Sequence, residues 1–237
     1  MSGFDKQVYL AMLAEQCSRY EDMSQFLDEM VASKKEGLSS DERNLLSIAY
    51  KNTISLRRTA LRTLLAYEMK EKKKPESAYL NYIIEYKAKL ENELIDLCLK
   101  IVKNIDQHLI PRSGDDEARV FYHKMKADYF RYIAENVEGD RKTTYSQSSL
   151  KSYEDATAAA NNLAVVNPIR LGLALNFSVF HYEVLSNHEA ACNIAKETLD
   201  AAMNELKDID ADDEEHRDAQ SIVSLLQENL SMWTTEQ

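Results

Sequence analysis

Only 5 glycines and 3 prolines punctuate 237 residues, and nearly all of them stand between stretches whose apolar residues recur at a helical period. A chain this poor in turn residues is laid out as long helices with short connections, because sheets need more frequent breaks. The sequence therefore predicts an all-α fold, a bundle of about nine antiparallel helices. The length allows a substantial core, in one large domain or two small ones, and no shift of composition marks a boundary.

Residues 5 to 19 place Val8, Met12, Leu13 and Cys17 on one stripe, and residues 21 to 35 do the same with Met23, Phe26, Leu27 and Met30. Gly37 ends the second helix, and Ser39 with Glu42 makes a capping-box pattern that opens the third. That helix closes on the lysines of KEKKKP, cations suited to a helix C-terminus, where Pro75 prevents continuation. A fourth helix is expected from Ser77 to His108 and a fifth from Asp115 to about Val137, with Gly139 separating it from a sixth over Thr143 to Leu163. Pro168 takes the first turn of the seventh, and an eighth spans Asn187 to Leu206. The acidic run from Asp208 to His216 leads into the ninth, whose Ile222, Val223, Leu225, Leu226, Leu230 and Trp233 form a broad apolar surface.

Charge narrows the function. The net charge is −11, and residues 171–237 alone hold 14 Asp and Glu against 3 Lys and Arg, leaving 26 of each sign before them. An acidic chain repels the phosphate backbone, so no nucleic-acid partner is expected and any anion site must be local. No apolar run approaches the roughly 20 residues that span a bilayer, and the start MSGFDKQVYL lacks a signal pattern, so we expect a cytoplasmic protein without a membrane partner. Cys17, Cys98 and Cys192 have no metal spacing and read as reduced, small apolar residues. With no glycine-rich phosphate loop, zinc motif or nucleophile elbow, and only Asp213-x-x-His216 near a di-iron pattern, neither catalysis nor a metal or cofactor is expected.

Two helices carry ordered charge. In the third, Lys51, Ser55, Arg58 and Arg62 fall four, three and four apart, opposite Leu45, Ile48, Ala49, Leu56, Ala60 and Leu64, which should pack inward. In the fifth, Lys124, Asp128, Arg131 and Glu135 repeat the same spacing. Each stripe alone reads as a solvated face. Together they read as an anion clamp. The seventh helix, apolar almost all round, should lie in the middle of the fold, and its exceptions Asn176 and Glu183 would be costly to bury without partners. They bond either to neighbouring side chains or to a bound peptide. His181 in the same helix reads as a packed or surface histidine.

The segments RNLLSIAYKN from Arg43, VFYHKMKADYFRYIAE from Val120 and NPIRLGLALNFSVFHYE from Asn167 resemble the strongest signatures of the 14-3-3 family, and the likeness runs from AEQCSRYEDM at Ala14 to QENLSMW at Gln227. The resemblance implies a dimeric adaptor that binds phosphoserine or phosphothreonine segments of client proteins in a concave amphipathic groove. It implies a single domain over residues 1–237, made of a dimerisation half and groove floor, helices one to four over roughly residues 1–110, and the rest of the groove, helices five to nine over roughly residues 115–234. It places Lys51, Arg58, Arg131 and Tyr132 on the phosphate, and Lys124, Asn176, Glu183 and Asn229 along the peptide. Leu175, Val179, Ile222 and Leu225 match the apolar wall. Arg19 and Asp22 match one side of the dimer interface, and Tyr86, Lys89 and Glu93 the other, in a homodimer or a heterodimer with a paralogue.

The sequence also departs from the family. Ser221, Ser224 and Gln227 stand where it has Leu, Gln and Arg, which predicts a wetter wall, and Ala60-Leu61 replaces its Ser-Trp. The rival reading is a helical-repeat scaffold for unmodified peptides. That scaffold would show a repeat near 34 residues, and none is found.

Overall fold

A computed structural model describes residues 3–206 and 214–235, with side chains for residues 6–206 and 217–235. Nine α-helices and no strands occur among them: α1 (Gly3–Gln16), α2 (Tyr20–Ser33), α3 (Ser40–Glu71), α4 (Leu80–Asn104), α5 (Asp116–Ala134), α6 (Gly139–Ala160), α7 (Pro168–Glu183), α8 (His188–Leu206) and α9 (Glu214–Thr235). The fold is all-α. Most of the acidic run after α8 lies outside the described residues, as do Asp213 and the side chain of His216. No described helix is long and apolar enough to cross a membrane.

Local chemistry sets the helix ends. The Ser39 hydroxyl accepts from the Glu42 amide at 3.2 Å while the Glu42 carboxylate accepts from the Ser39 amide at 2.7 Å, the reciprocal capping box that the sequence predicts. Asn167 caps α7 by accepting from the amides of Ile169 and Arg170, with Pro168 in its first turn. Several expected boundaries differ by a few residues, and two helix starts have a visible cause. Helix α4 starts at Leu80 rather than Ser77, because the Ser77 hydroxyl bonds to Glu71 at 2.7 Å and accepts from the Tyr79 and Leu80 amides, folding a turn before the helix. Helix α6 starts at Gly139, whose φ of +63° suits the left-handed conformation of glycine, so that residue opens the helix instead of lying outside it. Beyond α4 the chain continues as a π-helical turn (Ile105–Leu109) and a 3-10 turn (Ile110–Arg112).

The chain forms two compact units. The first holds residues 1–113 and 132–142, with a core that includes Met23, Leu27, Met30, Leu46, Tyr50, Leu94 and Ile101. Asp28 anchors three partners in it: the Tyr50 hydroxyl at 2.8 Å, the Asn104 amide at 2.8 Å and the Lys100 ammonium at 2.7 Å. The inward face of α3 is not the one expected from periodicity. Leu46, Ala49, Tyr50, Thr53, Ile54 and Leu61 are buried, whereas Leu56 is 62% exposed. Tyrosine and threonine fill core positions that a count of aliphatic residues passes over.

The second unit holds residues 114–131 and 143–237. Leu171, Ala195, Leu199, Val223, Leu226 and Trp233 form its core on α7, α8 and α9, and Tyr182 stacks on Trp233 with ring centroids 4.6 Å apart. Helix α7 is not buried all round as expected: Leu171, Leu173, Ser178 and Phe180 are enclosed, while Leu175 and Val179 are half-buried.

Candidate functional site

In the first unit, Arg58 of α3 lies with its guanidinium carbon 4.1 Å from the centre of the Tyr132 ring, a cation–π arrangement. Its Nη2 donates to Glu135 Oε2 at 2.6 Å, and its buried Nε has no hydrogen-bond partner among the described residues. Lys51, two turns earlier on the same helix, is exposed and makes no ion pair among the described residues. The structure thus brings Arg58 and Tyr132 together around a carboxylate that was read only as part of a stripe.

In the second unit the charges of α5 are enclosed rather than solvated. Asp128 and Arg131 are each 7% exposed. Asp128 accepts from Lys124 Nζ at 3.1 Å, Arg131 Nη2 at 3.4 Å, the Tyr153 hydroxyl at 2.5 Å and the Asn176 amide at 2.9 and 3.0 Å. Arg131 Nε donates to the Tyr153 oxygen at 3.1 Å. Burial acts to raise the Asp128 carboxyl, but the Lys124 and Arg131 cations and the Tyr153 hydroxyl outweigh it and hold it below the usual carboxylate range. Burial also drives the Tyr153 phenol well up, reinforced by the Asp128 charge.

Asn176 therefore satisfies a neighbouring side chain through its Nδ2, the first of its two expected alternatives. Glu183 needs no such partner, because it is exposed at the end of α7 where water solvates it. Leu175, Val179 and Ile222 pack half-buried against the core of α7 to α9, Asn229 is half-buried, and Leu225 is 48% exposed. His181 is packed, its ring 4.7 Å from Phe177, and burial lowers its affinity for a proton.

A model of the family described as 14-3-3 protein matches residues 10–234. The chain is 46% identical over 236 residues to a 14-3-3 protein homolog of Trichoderma harzianum, an alignment covering 99% of this chain and 89% of the relative. It is 44% identical to the 14-3-3-like protein G-BOX factor 14 lambda of Arabidopsis thaliana, over 99% of this chain and 95% of the relative. It is 45% identical to the 14-3-3 family protein artA of Aspergillus flavus, over 99% and 98%. The chain belongs to the 14-3-3 family.

Against the 14-3-3 pattern, the altered residues of α9 all face solvent. The Ser221 and Ser224 hydroxyls each turn back on their own helix, donating at 3.0 Å to the Arg217 and Gln220 carbonyls, and Gln227 donates to the Met203 sulfur at 3.7 Å. Of the residues matched to the 14-3-3 dimer interface, Arg19 bonds to Asp22, Tyr86 and Lys89 are exposed, and Glu93 lies 4.0 Å from Arg57. Sequence reasoning missed Arg57, which also pairs with Glu21, and Tyr153, which ties α6 to the α5 carboxylate. Asp128 carried a signal in its spacing from Lys124 and Arg131. Tyr153 carried none, since its contact joins residues 25 apart.

Proposed function

We propose that this 14-3-3 chain is a non-catalytic adaptor that holds phosphoserine- or phosphothreonine-containing segments of client proteins and regulates them as a dimer. In this reading Lys51, Arg58, Arg131 and Tyr132 receive the phosphate, Lys124, Asn176, Glu183 and Asn229 bond the peptide, and Leu175, Val179, Ile222 and Leu225 keep water from it. The carrying observation is Arg58. It is oriented by the Tyr132 ring and by one carboxylate, which takes a bond from Nη2. A guanidinium fork offers five donors, so one carboxylate fixes its direction and leaves capacity for phosphate oxygens. Asp128 plays a comparable part for Asn176: by taking both bonds from the amide nitrogen, it leaves the side-chain oxygen to accept from a peptide N–H.

Support for the dimer comes from exposed apolar surface in the first unit, where Met12, Leu13, Leu56 and Tyr86 are 50%, 44%, 62% and 53% exposed. Apolar contact of that kind supplies most of the association, and the partner is a second copy or a paralogue. The cytoplasm is the compartment that fits such clients. Retention of one client peptide, with and without its phosphate, on immobilised protein tests the reading. Only the phosphorylated form should be held; equal retention would favour a scaffold for unmodified peptides.

A further inference from the structure

Within the second unit a cavity of about 290 Å³ opens between the end of α6, the first half of α7 and the middle of α8. Leu173, Ala174 and Phe177 of α7 and Ile194 of α8 give it an apolar lining. Small residues at the facing positions, Ala160 of α6 and Ala201 of α8, leave the space unfilled. Leu173 and Phe177 are one turn apart on one face of α7, whereas Asn176, Val179 and Glu183 recur on another. The cavity is therefore distinct from the residues assigned to the peptide.

Its polar groups are Thr157, Asn161, Arg170, Glu197 and Thr198, and they are unequal; Asn161 is exposed. The Thr157 and Thr198 hydroxyls donate at 2.8 Å to the carbonyls of Tyr153 and Ile194, so both hydrogens are already committed. Arg170 is half-buried, and its side chain makes one hydrogen bond, from Nη1 to the Leu163 carbonyl at 2.6 Å. Among the described residues no carboxylate comes within ion-pair distance of it, in a chain where Asp and Glu outnumber Lys and Arg by 40 to 29. Glu197, which also lines the cavity, is exposed at its rim. A half-buried cation with spare donors beside an apolar lining matches an anion with an apolar body.

We propose that this cavity binds a small amphiphilic carboxylate, with the carboxylate on Arg170 and the hydrocarbon against Leu173, Phe177 and Ile194. The volume lies at the lower end of small-molecule sites, which limits the ligand to the size of a medium-chain or aryl-substituted acid. The bidentate fit of guanidinium to carboxylate sets the head group, and loss of apolar area from water adds affinity along the chain.

The test titrates octanoate into the full chain, followed by methyl NMR and calorimetry, with 1-octanol as the uncharged comparison. Saturable binding is expected, with shifts at the Ile194 and Leu173 methyls and at least tenfold weaker binding of the alcohol. Arg170→Gln should weaken octanoate at least tenfold, and Glu197→Gln should leave it unchanged or tighten it. Ala201→Trp places a large ring in the mouth from an exposed position, so it should abolish binding without lowering the unfolding temperature. That variant decides the matter if loss of the Arg170 bond to Leu163 loosens the fold. Absence of saturable binding, equal affinity for octanol, shifts confined to other residues, or undiminished binding by Ala201→Trp would overturn the assignment.

Discussion

Arg58 and Arg131 come from charged helix stripes with the same four-three-four spacing, yet they are held in different ways. Arg58, in the first unit, rests on an aromatic ring and one carboxylate, with Nε unsatisfied among the described residues. Arg131, in the second, is enclosed with Asp128 and Tyr153, and that carboxylate also takes Lys124 and Asn176. The first arrangement orients a cation and spends few of its donors. The second builds a cation into the packing of its unit. Substitutions at the first should therefore change binding alone, and those at the second should change binding and stability together.

The largest effect is expected at the hub. Asp128→Ala would leave two cations, a buried phenol and an amide without their acceptor, which costs about 3–5 kcal/mol when a buried charge partner is removed. Urea unfolding followed by the fluorescence of Trp233, the single tryptophan and a buried residue of the same unit, measures the loss. A change under 1 kcal/mol would mean that the network is slack and the contrast with Arg58 is false.

Acid should act on the same group. The Asp128 carboxyl is held below its ordinary value, so its contribution is fully present above the unfolded carboxylate pKa of about 3.9 and is lost as pH falls through the lower folded value. Wild type should accordingly lose stability below about pH 4 more steeply than Asp128→Asn, which has no carboxylate to protonate. Parallel acid limbs for the two proteins would break the comparison.

Binding comes next. Arg131→Ala should weaken a phosphopeptide about tenfold to a hundredfold and lower the unfolding temperature, whereas Arg58→Ala should weaken binding as much with little loss of stability, since charge-assisted bonds contribute roughly 1.5–3 kcal/mol each. Lys51→Glu should be worse for binding than either, because repulsion adds to the lost attraction. Thermal scans beside anisotropy titrations separate the cases, and equal stability losses for Arg58→Ala and Arg131→Ala would erase the distinction. The smallest effect belongs to the exposed pair Arg19 and Asp22. Arg19→Ala should weaken dimerisation severalfold at most by sedimentation, because surface ion pairs contribute little.

The same contrast explains what could be read from the chain. Helix order, the Ser39–Glu42 box and Pro168 in the first turn of α7 were legible because each depends on residues within one turn of one another. The inward face of α3 was not, since Tyr50 and Thr53 are core residues whose polar atoms bond to Asp28 and the Ala49 carbonyl, partners that periodicity does not count. Resemblance singled out Arg58, Arg131 and Tyr132, but the spacing of α5 alone read as a solvated stripe. What encloses it is Tyr153 and Asn176, brought from 25 and 48 residues away by packing.

The central claim is that a phosphate completes the Arg58 site, and calorimetric titration tests it most directly. The ligand is a phosphoserine peptide with Arg upstream and Pro two residues after the phosphoserine, run beside its unphosphorylated twin. A phosphate brings about −1.5 to −2 charges near neutral pH. The account predicts that wild type binds the phosphorylated peptide far more tightly than the bare one, and that Arg58→Ala loses most of that difference. Equal affinity for the two peptides, or an undiminished difference in Arg58→Ala, would contradict it.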